Sequence, residues 1–173
     1  MENQAPSKGI MLNYGAILGI VSVLVSVTVY ALGHHLEQDW KVGLLNFVLM
    51  IVILSMGIKK YKESNAGFLS FGQAVKVGVG IAIVSAVIGI LYNLIFTNVI
   101  EPDFMNQMLD KQRELWAENN MTEEQIESAE GMFKTFSSPA ITSAIGIVAA
   151  AFFGFIISAI AGAIMKKSPE DQY

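Results

Sequence analysis

Two shortages in the sequence exclude whole classes of chemistry. The 173 residues contain no cysteine, so disulfides, cysteine nucleophiles and thiolate metal sites are excluded. Charged residues make up 15% of the chain, against roughly 25% in an average soluble domain. Hydrophobic residues, by contrast, make up 53%. This composition predicts a single domain that is embedded in a membrane.

Familiar catalytic and nucleic-acid-binding signatures are missing as well. The chain has no HExxH, no GxSxG and no Walker-type phosphate loop. The net charge is −4, and the largest basic cluster is KKYK at Lys59–Lys62, which disfavours nucleic acid as a partner. No Asp, Glu, Arg or His lies inside the apolar segments, which argues against a proton-coupled carrier. We therefore expect a non-enzymatic protein with no metal and no cofactor.

Four long apolar segments predict membrane-spanning helices. They cover residues of about 13–32, 42–58, 75–96 and 140–165. A helix needs roughly 20 apolar residues to cross a bilayer core, with about 17 at the short end. The segments are apolar on all sides, unlike the surface helix of a soluble domain. The expected fold is all-α, an integral membrane four-helix bundle within one domain, 1–173.

The lysines predict the orientation of the chain. Lys8, the KKYK cluster and the pair Lys166–Lys167 all fall on one side of a four-span protein. By the positive-inside rule this side is the cytoplasm, so both termini are expected there. One alternative stays open: the small residues at Ala31–Gly33 have the spacing of a signal-peptide cleavage site, and cleavage there would leave three spans.

The long loop at about 99–138, between the third and fourth spans, is predicted to form a helical hairpin. Residues 104–116 place apolar side chains at helical spacing. Thr122 and Gln125 then match a capping box that would begin a second helix. Asn120 also starts a glycosylation sequon with Thr122. We favour the capping role for this threonine.

Small residues recur every fourth position in the fourth span. Such stripes let helix backbones approach closely inside a membrane, and we favour packing within the bundle over a partner or homo-oligomer interface. The first span carries a shorter version that continues into Ser22 and Ser26. The candidate packing residues are Gly15, Gly19, Gly146, Ala150, Gly154, Ser158 and Gly162.

The stretch SFGQAVKVGVG, residues 70–80, opens the third span and contains a lysine. Ser70 and Gln73 match a capping box, which predicts that the helix begins at the membrane surface. Lys76 would then extend its ammonium group among the lipid headgroups and mark the boundary of the span. Contact with an anionic lipid headgroup or a partner's carboxylate is the alternative, shared with Lys59, Lys60 and Lys62.

Few polar side chains lie inside the spans. Asn93 is the strongest of them, and we expect it to bond a neighbouring helix. If instead Asn93, Ser85 and Asn46 lined a cavity between the spans, this would favour a transporter. In the short loop on the hairpin's side of the membrane, His34 and His35 are expected to be a solvated interfacial pair rather than metal ligands.

Two segments carry a family resemblance. GFLSFGQAVKVGVG at 67–80 and YNLIFTNVIEPDF at 92–104 resemble the bacterial "domain of unknown function 4199" family. The resemblance implies a four-span protein of the bacterial inner membrane, with no known activity and no catalytic residues to carry over. It also suggests an association with membrane-bound glycosyltransferases, which relatives are often encoded beside.

Three functions are compatible with these features. The leading hypothesis is a non-enzymatic subunit or scaffold that assembles with itself or with another membrane protein and contacts membrane lipids. The first alternative is a transporter or channel for a small solute or lipid. The second is an accessory to a membrane-associated glycosyltransferase, which rests on analogy alone.

Overall fold

The computed structural model describes residues 7–37 and 39–167, which form six α-helices and no strand. A π-helical turn at Phe96–Ile100 follows the third helix directly. The all-α fold, with a helical hairpin between the third and fourth spans, is confirmed. The helices are α1 (Ser7–Ala31), α2 (Trp40–Ser64), α3 (Phe71–Ile95), α4 (Phe104–Glu118), α5 (Glu123–Phe136) and α6 (Pro139–Met165).

Four of these helices are long and apolar enough to cross a membrane, namely α1, α2, α3 with its π-turn, and α6. Two helices extend beyond their apolar segments: α1 begins six residues before Asn13, at Ser7, and α2 continues six residues past Ile58, to Ser64. The KKYK lysines therefore lie on the last turns of α2. Lysine is a good helix former, and the helix ends only at Asn65, just before Gly67 with a φ of 82°.

The two predicted capping boxes are both present. At the start of α3 the Ser70 hydroxyl accepts from the Gln73 amide at 3.2 Å, and the Gln73 side chain accepts from the Ser70 amide at 2.9 Å. Thr122 and Gln125 exchange the same pair of bonds at the start of α5, at 3.3 and 2.9 Å. Each box satisfies backbone donors that a helix start leaves free.

The main cluster of buried core residues lies in one half of the bundle. We call the end that carries the KKYK lysines and Lys167 the basic end, and the end from which α4 and α5 extend the hairpin end. Leu54, Ile58 and Ile81 are completely buried, and all lie in the half towards the basic end. In the part of the chain that the structure describes, no residue of α3 between 83 and 95 is buried.

Close glycine contacts hold α3 and α6 together antiparallel. A Cβ added at Gly154 would lie 2.7 Å from the Ala82 Cβ, and one at Gly162 would lie 2.8 Å from the Ala74 Cβ. A Cβ at Gly78 would overlap the Ser158 hydroxyl. Only residues without a Cβ allow this approach, which is a packing device common in membranes.

Glycines on α1 produce a second close interface with α3. A Cβ at Gly15 would lie 2.5 Å from the Val84 Cβ, and one at Gly19 would lie 2.8 Å from the Ile88 Cβ. Residue numbers increase in the same direction on both sides of this interface, so α1 and α3 run parallel. α2 joins them near the basic end, where Gly57 packs against the side chain of Ile81.

Candidate functional site

A cavity of about 800 Å³ lies between the spans, in the half of the bundle towards the hairpin end. All four spans and both hairpin helices contribute to its wall. Asn46, Ser85 and Asn93, the residues that the transporter hypothesis requires around a cavity, all line it. Its volume falls within the range of about 300–1,000 Å³ that is usual for ligand pockets.

The cavity is elongated. On α3 its lining residues extend from Ala82 to Thr97, a length of about 22 Å at 1.5 Å per residue. A space of this length suits an elongated molecule.

Polar side chains form a belt around the part of the cavity nearest the hairpin end. The α3–α6 register places Ser143 at the height of Asn93, and the α1–α3 register places Ser22 and Ser26 within about one turn of it. None of the described residues that line the cavity is charged. We define the polar belt as Ser22, Ser26, Asn46, Asn93, Thr97, Thr142 and Ser143.

Four side chains of the belt already donate a hydrogen bond to their own helices. Ser26, Thr97 and Thr142 each donate their hydroxyl hydrogen to the carbonyl four residues earlier, at 3.1, 2.9 and 3.0 Å. The Asn46 amide nitrogen does the same at 3.1 Å, and its Oδ1 is buried with no hydrogen-bond partner. Hydroxyl oxygens keep lone pairs after donating, so the belt presents more acceptors than donors to the cavity.

The cavity is apolar on either side of the belt. Its floor, towards the core, is formed by small or apolar side chains: Leu18, Met50, Ala82, Ala86, Ala150 and Phe153. Ser85 contributes one hydroxyl there. Its roof comes from the hairpin, with Phe104, Met105 and Met108 on α4 and Phe133 on α5. A polar belt between two apolar surfaces suits an amphipathic molecule.

The small-residue stripe of α6 is divided between two environments. Gly154, Ser158 and Gly162 are buried against α3 inside the bundle. Ala150 and Gly146 lie nearer the hairpin end and line the cavity, and a Cβ at Gly146 would meet nothing within 4 Å. The equal spacing does not reveal this difference, because it arises from the divergence of the helices.

Asn93 differs from its expected role as a contact between helices. Its side chain makes no hydrogen bond to another residue of the described chain, and its backbone carbonyl accepts from the Thr97 hydroxyl. The amide group lies instead on the cavity wall.

None of the lysines singled out in the sequence lies on the cavity wall. Lys76 is exposed in the second turn of α3 and is absent from the cavity wall. Lys62 donates to the Met165 carbonyl at 2.7 Å and so ties the end of α2 to the end of α6. Lys60 is 4.0 Å from Glu63, and Lys59 is exposed. Lipid-headgroup binding by these lysines stays a prediction.

A polar cluster behind the cavity roof is absent from the sequence-based predictions. The Tyr30 hydroxyl donates to one Glu101 oxygen at 2.9 Å, and the Gln107 amide donates to the other at 2.8 Å. These two hydrogen bonds lower the pKa of the Glu101 carboxyl. The π-turn brings Glu101 to this position, and no local sequence pattern signals such a turn.

The two histidines have different environments. His34 is exposed, with its Nδ1 3.0 Å from a Glu37 carboxylate oxygen. His35 packs against the rings of Tyr30, Phe96 and Phe104, and both of its ring nitrogens are buried without a hydrogen-bond partner. The interpretation as a solvated pair is therefore wrong for His35. Within residues 7–37 and 39–167, no three His, Asp or Glu side chains are grouped to hold a metal ion.

The fold and the cavity define a four-span helical membrane protein with an uncharged site between its spans. The chain belongs to the family described as "Protein of unknown function (DUF4199)", whose sequence model matches residues 13–167. The resemblance carried by the segments at 67–80 and 92–104 is thus confirmed. No curated protein and no solved structure matches the chain.

Proposed function

We propose that this chain is a non-enzymatic membrane protein that binds an elongated amphipathic molecule between its spans, as a transporter or carrier of small solutes or lipids does. The observation that supports this most directly is the cavity itself, with Asn46, Ser85 and Asn93 on its wall. Packing at this depth would leave no such space in a purely structural bundle, because membrane helices gain stability from close contact.

The contacts at the basic end favour a carrier over a continuous channel. Leu54, Ile58 and Ile81 are fully buried directly below the cavity. The bond from Lys62 to α6 and the paired backbone bonds of Leu69 and Lys167, both 3.0 Å, close the same end. A solute would enter from the hairpin end or from the lipid, and would need a conformational change to leave at the basic end.

We also propose an orientation and a location. The basic end carries the KKYK lysines, Lys166 and Lys167, which supports a cytoplasmic position for this end and for both termini. The family resemblance supports the bacterial inner membrane. The hairpin would then lie on the outer side, over the mouth of the cavity.

The scaffold hypothesis and the glycosyltransferase-accessory hypothesis remain predictions. The scaffold hypothesis rests on the small-residue stripe as a partner interface. Three residues of that stripe, Gly154, Ser158 and Gly162, pack against α3 inside the bundle instead. A second copy or another membrane protein would have to bind a different surface. These hypotheses now have less support than the cavity gives to a carrier.

Two glycines on α3 allow a matched test of the carrier proposal. A Cβ at Gly89, on the cavity wall, or at Gly72, near the basic end, would meet nothing within 4 Å. Gly89→Phe should fill the cavity, whereas Gly72→Phe should add the same ring outside it. Native mass spectrometry of the full chain, purified from membranes in mild detergent, should show a bound small molecule in the wild type and in Gly72→Phe but not in Gly89→Phe. Equal occupancy in all three proteins would overturn the proposal.

A further inference from the structure

The chemistry of the cavity wall restricts the class of ligand. We infer that the cavity binds an uncharged lipid with a hydrocarbon chain and a head that donates hydrogen bonds, such as the hydroxyl groups of a monoacylglycerol. The head would contact the polar belt and the chain would lie on the floor. This inference rests on the proposed function and names the ligand of the same site.

The lack of charge on the wall disfavours phosphate and ammonium heads. A buried ionic group is costly unless an opposite charge and hydrogen bonds compensate it. No lining residue among those that the structure describes can supply such a charge. Lys76, a cation on the same helix, lies about 25 Å from Asn93 along the α3 axis at 1.5 Å per residue.

The belt leaves more hydrogen-bond acceptors than donors free, which favours a head that donates. Ser26, Thr97 and Thr142 have already given their hydroxyl hydrogens to their own helices, and these oxygens can still accept. Asn46 Oδ1 is a buried acceptor with no partner. A hydroxyl of the ligand at this position would satisfy an atom that the protein leaves unsatisfied, which a buried polar atom normally requires.

The floor matches a hydrocarbon chain in shape and polarity. From Asn93 down to Ala82 the cavity continues for about 16 Å along α3. The side chains facing this part are small or apolar, including Ala86 on α3 and Ala150 on α6. Such a surface contacts methylene groups without leaving a buried polar atom unpaired.

Three probes with the same oleoyl chain separate the head-group classes. Monooleoylglycerol has hydroxyl donors, methyl oleate has none, and oleoyl lysophosphatidate is charged. Binding of each probe to the delipidated full chain in detergent can be titrated by native mass spectrometry. Monooleoylglycerol should bind at least about fivefold more tightly than methyl oleate, the typical effect of one buried hydrogen bond. Lysophosphatidate should not bind in the cavity, so Gly89→Phe should leave any binding of this probe unchanged.

One variant tests the assigned contact directly. Asn46→Leu removes the unpartnered oxygen and keeps a similar side-chain volume. It should weaken the binding of monooleoylglycerol about fivefold and leave the affinity for methyl oleate unchanged. Asn119→Leu is the control, because the Asn119 amide likewise donates to the carbonyl four residues earlier and Asn119 is absent from the cavity wall.

The outcomes distinguish the ligand class from the proposed function. The two uncharged probes could bind with equal affinity, lose binding in Gly89→Phe and keep the same affinity in Asn46→Leu. In that case the inference of a hydrogen-bond-donating head is wrong, but the proposed function of the cavity stands. If lysophosphatidate is the tightest probe and Gly89→Phe abolishes its binding, the uncharged class is wrong. If Gly89→Phe affects no probe, the proposed function itself fails.

Discussion

The contact between Gly78 and Ser158 offers a sharp test of how the spans pack. Gly78→Ala would add a Cβ that overlaps the Ser158 Oγ and lies 2.7 Å from its Cβ. Ser158 is fully buried, and its hydroxyl is held by a 2.5 Å bond to the Gly154 carbonyl. The hydroxyl therefore has little room to move away, so α3 and α6 must separate slightly to accept the methyl group.

The expected magnitude follows from a comparison on the same helix. Replacing glycine by alanine inside a helix is favourable by about 1 kcal/mol, and overpacking a core costs about 1–3 kcal/mol. At Gly89 an added Cβ meets nothing within 4 Å, so Gly89→Ala gains helix propensity without a clash. The difference between the two variants isolates the packing cost. We expect Gly78→Ala to be less stable than Gly89→Ala by about 2 kcal/mol.

Thermal unfolding of the purified variants in one detergent, followed by circular dichroism, measures this difference. For a chain of this size, about 2 kcal/mol corresponds to roughly 4–8 °C in Tm. Ser158→Gly in the Gly78→Ala background removes both clashing atoms and should recover part of the loss, with a coupling energy of about 0.5–3 kcal/mol. Equal Tm values for Gly78→Ala and Gly89→Ala, or no recovery in the double variant, would refute the close α3–α6 contact.

Three further perturbations test other parts of the structure. Arg113 lowers the pKa of the Glu130 carboxyl, so their bond should stabilise the hairpin fully at a pH above the ordinary carboxyl pKa. This stability should be lost as the pH falls through the lowered pKa of Glu130. Amide exchange in α4 and α5 should therefore be faster at acid pH, and Glu130→Gln should reproduce the faster exchange at neutral pH. Tyr30→Phe should raise the pKa of Glu101 towards its ordinary value, as an NMR titration of the carboxyl carbon would report. Lys62→Met should lower the free energy of unfolding by about 1–2 kcal/mol, because it removes the donor to the last carbonyl of α6. Lys62→Arg should retain most of that stability, and chemical denaturation measures both variants.

Features set by neighbouring residues could be predicted from the sequence. The capping boxes at Ser70 and Thr122 need only a hydroxyl and a glutamine three residues later, and both form as expected. The four spans follow from the length and polarity of continuous segments. The apolar segment at 42–58 does not show where its helix ends, because the backbone of α2 continues through the lysines to Ser64.

The cavity depends on relations between distant segments, which local patterns do not contain. Gly146 and Gly154 occupy equivalent positions in one stripe, yet one faces open space and the other touches α3. Their difference comes from the divergence of the helices towards the hairpin end. Likewise, the burial of His35 requires the π-turn to bring Phe96 and Phe104 against it. The sequence identifies the polar residues inside the spans, but their convergence on one cavity depends on how the helices pack.

The measurement that tests the central claim most directly is a cryo-electron microscopy structure of the full chain in nanodiscs, prepared from native membranes without delipidation. The carrier account predicts continuous, elongated density inside the cavity, extending from the polar belt towards Ala82, with a feature within hydrogen-bond distance of Asn46 Oδ1. A bundle whose spans close on one another at the level of Asn93, with no space between them, would contradict it.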